Sequence, residues 1–170
     1  MILRIVKEPH PILHRKAEPV REMTAQIQHL IADMIETMHA ADGVGLAANQ
    51  VGSPLDLLVA SPDGVKGKEL VLINAALVKK RGRIRRPEGC LSLPGIASKF
   101  SRPAEVTVNG LDRTLKGITL QATGLLAQIL QHEIDHLQGH LYLARLGFWS
   151  RRQLLRKYHC LTESLRKIDL

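Results

Sequence analysis

Two imidazoles four residues apart on a helix, with a carboxylate beside the first, can hold a metal ion and serve it with a base. His132-Glu133-Ile134-Asp135-His136 supplies that set. It is a His-Glu-x-x-His motif lying inside a segment whose apolar spacing predicts a helix, the context in which such a match carries chemistry. At about 100° per residue, positions i and i+4 lie within about 40° of each other, so both rings converge on one ion. Glu133 is close enough to that face to act as general acid/base on a water there. The chemistry this predicts is metal-dependent amide hydrolysis, with His132 and His136 as two of the ligands.

A third ligand is needed, and the sequence limits where it comes from. In the metzincin proteases the motif continues through x-x-Gly to a third His; here Gly139 is in place, but the required position is Tyr142 and His140 falls two residues early. A thiolate elsewhere in the chain is a good donor for borderline metals once the ion has removed its proton. Cys90, within Glu88-Gly89-Cys90-Leu91-Ser92-Leu93-Pro94, offers one after a glycine and before a turn-prone stretch. A third chemical segment is Gly43-Val44-Gly45-Leu46-Ala47-Ala48-Asn49-Gln50. It follows a helix instead of a strand and lacks both a third glycine and a P-loop lysine, which excludes a phosphate-binding loop. Its small residues let backbone groups approach a substrate closely, and the Gln50 amide can donate to a developing oxyanion.

These segments must be positioned by the elements between them. Pro9, Pro11 and Pro19 keep residues 1–20 extended or turn-like. Ile27, Leu30, Ile31, Met34, Ile35 and Met38 recur at spacings of three and four, which predicts an amphipathic helix from Thr24, its cap, to about Ala40. Three glycines mark 43–52 as irregular backbone. Runs over Leu57–Ala60, Glu69–Ile73, Glu105–Val108 and Gly117–Leu120 read as short strands. Helical spacing returns from Gly124 to Leu137 and stops at Gly139, and a third helix carrying Leu154, Leu155, Leu161 and Leu165 follows Phe148. The expected fold is α+β, with short, mostly antiparallel strands packed around a central metal-binding helix, plus an N-terminal and a C-terminal helix. At 170 residues we expect one catalytic domain over residues 1–170.

Composition narrows the setting. Apolar residues make up 45% but aromatics only 3%, so the core is aliphatic. The formal charge of +8 favours acidic partners such as RNA. Cys90 and Cys160 are far apart and no secretory signal precedes them, which argues against a disulfide framework and for a cytoplasmic protein. Charge interrupts the N-terminal apolar residues before they reach membrane-span length, so no membrane association is expected.

Gly43–Gln50, Glu88–Pro94 and Gln131–Gly139 together resemble the three signature motifs of the peptide deformylases, in that family's order and spacing. The resemblance extends to Ile2-Leu3-Arg4-Ile5, Val71-Leu72-Ile73-Asn74 and Gly124-Leu125-Leu126-Ala127. It implies removal of the formyl group from the N-terminal formyl-methionine of newly made proteins. By the same resemblance, the metal ligands are Cys90, His132 and His136, and the acid/base is Glu133. Gln50 and the Leu91 backbone N–H stabilise the oxyanion. Glu88 pairs with Arg102, the backbone at Gly45 and Gly89 pairs with an extended substrate, and Val44, Leu125 and Ile129 receive methionine beside the His132 ring. The implied ion is Fe²⁺, with Zn²⁺, Ni²⁺ or Co²⁺ as substitutes.

The chain departs from that pattern in places. Lys79-Lys80-Arg81-Gly82-Arg83-Ile84-Arg85-Arg86 is unusually basic, and Arg86 stands where the family has an apolar pocket residue. Ala144 replaces a usual Asp and Asp56 a usual basic residue. Two other functions compete. A zincin-like endopeptidase would cleave casein rather than formyl-methionyl peptides, and the missing ligand at 142 opposes it. A basic ribosome- or RNA-binding module would not need Gln50, Cys90, His132, Glu133 and His136 together. Basic docking and deformylation are compatible, because residues 145–170 carry seven Lys or Arg against Glu163 and Asp169, which suits a C-terminal helix that binds the ribosome.

Overall fold

In the computed structural model, residues 1–168 are described; Asp169 and Leu170, and the side chains from Leu165 onward that the sequence reading included, lie outside them. Thr24 caps the first helix, α1 (Ala25–Ala40), by accepting a hydrogen bond from the Ile27 N–H at 3.3 Å. Seven strands follow: β1 (Gly45–Ala47), β2 (Leu57–Ala60), β3 (Leu70–Arg81), β4 (Ile84–Gly89), β5 (Ala97–Arg102), β6 (Glu105–Leu111) and β7 (Gly117–Thr123). The chain then enters α2 (Gly124–Leu137) and, after a 3₁₀ turn at Tyr142–Arg145, α3 (Phe148–Ile168). The expected α+β class, with its three helices, is what the structure contains.

One sheet has the order β1-β2-β3-β6-β7 and every pairing in it is antiparallel. All four residues of β2 are buried, because its two faces meet different helices. Leu58 and Ala60 pack with Leu72, Leu130 and Ile134 on the α2 side. Leu57 and Val59 pack with Val71, Ile73, Ile31 and Met34 on the α1 side. Burial on both faces explains why these strands read as continuous apolar runs with no alternation. Each fully buried Leu or Ile contributes about 1.5–3 kcal/mol, so this sandwich dominates the stability.

A second sheet, β4 with β5, continues the same ribbon past a bend: Arg81 pairs with Glu105 before it and Ile84 with Arg102 after it. A separate apolar cluster of Leu93, Ile96, Phe100, Tyr142 and Tyr158 ties this sheet to α3.

Three expectations need correction. The segment 43–52 is not irregular: Gly45–Ala47 pairs with Leu58–Ala60 and Ala48–Val51 forms a 3₁₀ helix. Three residues, Gly45, Leu46 and Ala47, are too short a strand to show a period. The third strand runs on from Ile73 to Arg81 past a bulge, where Asn74 has a φ of 53°. Strands β4 and β5 were not foreseen, because Ile84-Arg-Arg-Pro-Glu-Gly and Ala97-Ser-Lys-Phe-Ser-Arg are polar at most positions.

Gly139 ends the α2 region with a φ of 77°, and a Cβ there would lie 2.8 Å from both the carbonyl carbon and the oxygen of His14. Those are backbone atoms that cannot swing away. Gly139→Ala is therefore expected to cost about 1–3 kcal/mol in chemical denaturation; an unchanged midpoint would show that the N-terminal segment is free to retreat.

Candidate active site

Side chains from three separate segments converge beside α2. The Cys90 Sγ lies 3.1 Å from His136 Nε2, and one ligand atom from each of Cys90, His132 and His136 falls within 4.8 Å of the others. The two imidazoles meet edge to face, with ring centres 4.9 Å apart. His132 Nδ1 is 2.5 Å from a Glu88 carboxylate oxygen, which fixes the ring and leaves Nε2 for the ion. Burial first, then the neighbouring His132 charge, pushes His136 well below its usual pKa, into the neutral form that ligates. A thiol and two oriented imidazoles at this spacing fit one divalent ion.

The two glutamates nearest the ligands sit in opposite electrostatic environments. Burial pushes the Glu133 carboxyl up to about 7, and its Oε2 is buried with no hydrogen-bond partner. Burial also acts on Glu88, but the hydrogen bonds from Arg102 and His132 outweigh it and bring its carboxyl down to about 2. Arg102 donates through Nε and Nη2 to Glu88 at 2.7 and 2.6 Å and through Nη1 to Asp135 at 2.9 Å. Arg145 closes on the outer side of Asp135.

Gln50 is held in one orientation. Its Oε1 accepts the Ala47 N–H at 2.9 Å, which turns Nε2 toward Cys90 Sγ at 3.6 Å and Ser92 Oγ at 3.3 Å. A cavity of about 420 Å³ opens over these groups; Val44, Gly45, Gly89, Leu91, Leu125 and Ile129 line it with Gln50, Glu133 and His132. The structure thus brings every predicted site residue to one place, with Arg102 beneath Glu88. Arg86 is exposed and does not line the cavity.

The family model for polypeptide deformylase matches residues 2–152, nearly the whole of this arrangement. The chain belongs to that family. It is 50% identical over 141 residues to the peptide deformylase of Symbiobacterium thermophilum, covering 83% of this chain and 65% of that protein. It is 47% identical over 158 residues to the deformylase of Thermodesulfovibrio yellowstonii, covering 92% and 95%. The crystal structure of a peptide deformylase from Legionella pneumophila superposes with a TM-score of 0.93 at 38% identity, over 98% of both chains.

Sequence reasoning missed some supporting groups of this deformylase site. Asp135 occupies a variable position of the motif and Arg145 lies beyond it, so only the fold shows Asp135 as the shared partner of Arg102 and Arg145. Lys7 donates to the Leu91 carbonyl at 2.6 Å, and Ser92 accepts from Gln50. Neither has a local pattern that would reveal it.

Gly45 leaves room for the acid: a Cβ there would stand 2.5 Å from Glu133 Oε1 and 2.7 Å from Ile129 Cγ2. Gly45→Ala is expected to keep its metal but lose about 10²-fold in kcat/KM, since misplacement by about 1 Å costs that much. Metal analysis alongside formyl-peptide kinetics checks it, and wild-type turnover would show that Glu133 has slack.

Proposed function

We infer that the chain is a metal-dependent hydrolase that removes the formyl group from the N-terminal formyl-methionine of newly synthesised proteins. The observation that carries this reading is the convergence of Cys90, His132 and His136 under a cavity that also holds a buried, partnerless Glu133 oxygen. We assign the reaction to one catalytic domain over residues 1–170 working in the cytoplasm. No described helix is long and apolar enough to cross a membrane. The resident ion is taken as Fe²⁺, with Zn²⁺, Ni²⁺ or Co²⁺ as active substitutes.

When bound, the divalent ion supplies Lewis acidity that polarises the formyl carbonyl and makes water a better nucleophile. Glu133, with a pKa of about 7, takes the proton from the attacking water as its oxygen bonds to the formyl carbon. The same carboxyl then passes that proton to the departing methionine nitrogen as the C–N bond breaks, giving formate and a free amine. Gln50 Nε2–H and the Leu91 backbone N–H donate to the oxyanion.

Substrate placement follows from two open strand edges. β1 ends its sheet and β4 has a partner on one side only, so both can hydrogen-bond an extended peptide at Gly45 and Gly89. Backbone pairing of this kind accepts many downstream sequences. Val44, Leu125 and Ile129 give the methionine side chain an apolar wall. Contact with the ribosome falls to α3, whose exposed Phe148 and Trp149 precede Arg151, Arg152 and Arg156.

Three variants assayed on a formyl-methionyl peptide test the roles. Glu133→Ala should retain its metal and lose nearly all turnover, whereas Cys90→Ser should bind metal weakly, because a serine hydroxyl is far harder to deprotonate. Full occupancy in Cys90→Ser would mean that the ligand set is wrong. Gln50→Ala should lower kcat/KM by about 10²–10³, the usual loss for one oxyanion donor, with stability and metal content nearly unchanged. Near-normal kinetics from that variant would remove Gln50 from the mechanism.

A further inference from the structure

Residues 79–86 hold six of the chain's 24 Lys and Arg residues and no acid, in a chain whose formal net charge is +8. They occupy the bend where β3 passes into β4, around Gly82 with its φ of 64°. Lys79, Lys80, Arg81, Arg83, Arg85 and Arg86 are all exposed. None has an ion pair or side-chain hydrogen bond among the described residues, although Glu105 is the register partner of Arg81. Uncompensated charge at this density raises the potential around the bend at a cost in self-repulsion.

The surroundings of these cations indicate what would neutralise them. A groove of about 230 Å³ runs beside Lys79, Lys80 and Arg81, floored by Thr107, Gln121 and Thr123, with Glu105 as its one carboxylate. Thr107, Gln121 and Thr123 bring hydroxyl and amide donors to the groove, beside the apolar Val106 and Ala122. The bend has no aromatic side chain, and its apolar residues are a partly buried Ile84 and, just before it, an exposed Val78. Without aromatic rings there is no platform for unstacked bases, which opposes single-stranded recognition. Without an apolar wedge there is little to insert into a membrane, and no aromatic anchor for a protein partner. Cations with hydroxyl and amide donors on a twisted ribbon suit the phosphate backbone of a folded RNA, bound without sequence readout.

We propose that the Lys79–Arg86 bend is a docking surface for the phosphate backbone of double-helical RNA. β4 leads directly from the bend to Pro87, Glu88 and Gly89 on the cavity wall, so RNA held there lies beside the mouth of the site. Resting on the proposed action on newly made chains, this surface would keep the enzyme where RNA and emerging N-termini occur together.

The test uses the full-length, metal-loaded protein and a labelled duplex RNA stem, with affinity measured across a salt series. Wild type should bind with a steep negative dependence on salt. The combined variant Lys79→Gln, Lys80→Gln, Arg81→Gln, Arg83→Gln should bind at least tenfold more weakly, and its salt slope should fall by about one for each phosphate contact removed. Its kcat/KM on a short uncharged formyl-methionyl peptide should match wild type, which also shows that it folds. Exchanging Arg81 and Arg83 for Lys should preserve binding, because charge alone is read. A matching variant in α3, Arg151→Gln, Arg152→Gln, Arg156→Gln, should leave most of the duplex affinity in place. The proposal is overturned if wild type does not bind the duplex, if the bend variant binds as tightly, or if only the α3 variant loses affinity. Preference for anionic phosphatidylserine vesicles or a poly-glutamate peptide over the duplex would overturn it too. An inactive wild type that still binds RNA through the bend would instead refute the hydrolase reading alone.

Discussion

The site depends on one buried guanidinium. Arg102 stands between Glu88 and Asp135, and all three side chains are at most 7% exposed. It joins β5, β4 and α2, and the His132–Glu88 contact ties β4 to α2 a second time at the same depth. Removing charges from water costs several kcal/mol per ion, so the cluster adds little net stability over an apolar core of the same shape. What it supplies is position, because no member can move without leaving a buried charge unpaired. β4 is thereby fixed against α2, and Cys90, just beyond the end of β4, is carried to the two histidines.

The same cluster separates two chemically identical side chains. Glu88 has Arg102 and His132 as hydrogen-bond partners and remains ionised far below neutral pH. Glu133 is buried without such partners, and the nearby Glu88 charge disfavours its ionised form further, so its carboxyl titrates near 7. One holds a ring in place and the other can exchange a proton at working pH. Shared burial with different hydrogen bonding accounts for the division.

Positive charge is distributed with a similar economy. The cavity combines the apolar side chains of Val44, Leu125 and Ile129 with the polar groups of Gln50, His132 and Glu133 and, among the described residues, has no Lys or Arg in its lining, while the cations gather at the β3–β4 bend and on α3. Local chemistry and long-range attraction therefore occupy different surfaces, and either can be altered with little effect on the other. β4 links the bend to the cavity directly, since it begins at one and ends at the other.

The sequence by itself determined the elements that depend on short-range periodicity. Thr24 and the spacing of Ile27, Ile31, Met34 and Met38 dictate α1, and the run from Leu125 to Leu137 dictates α2 with both histidines on one face. The missing third ligand made the Cys90 thiol a candidate, and the resemblance carried by all three motifs named the family. Strands β1, β4 and β5 were illegible, because a run of only three residues or a mostly polar stretch becomes a strand only when a distant edge satisfies its backbone groups. Asp135 and Arg145 were missed for the same reason: Arg102 lies 33 residues from Asp135, and Arg145 meets the other side of Asp135 only in the folded chain. The opposed states of Glu88 and Glu133 were likewise decided by tertiary structure, since desolvation and Coulomb terms depend on separation in space and not along the chain.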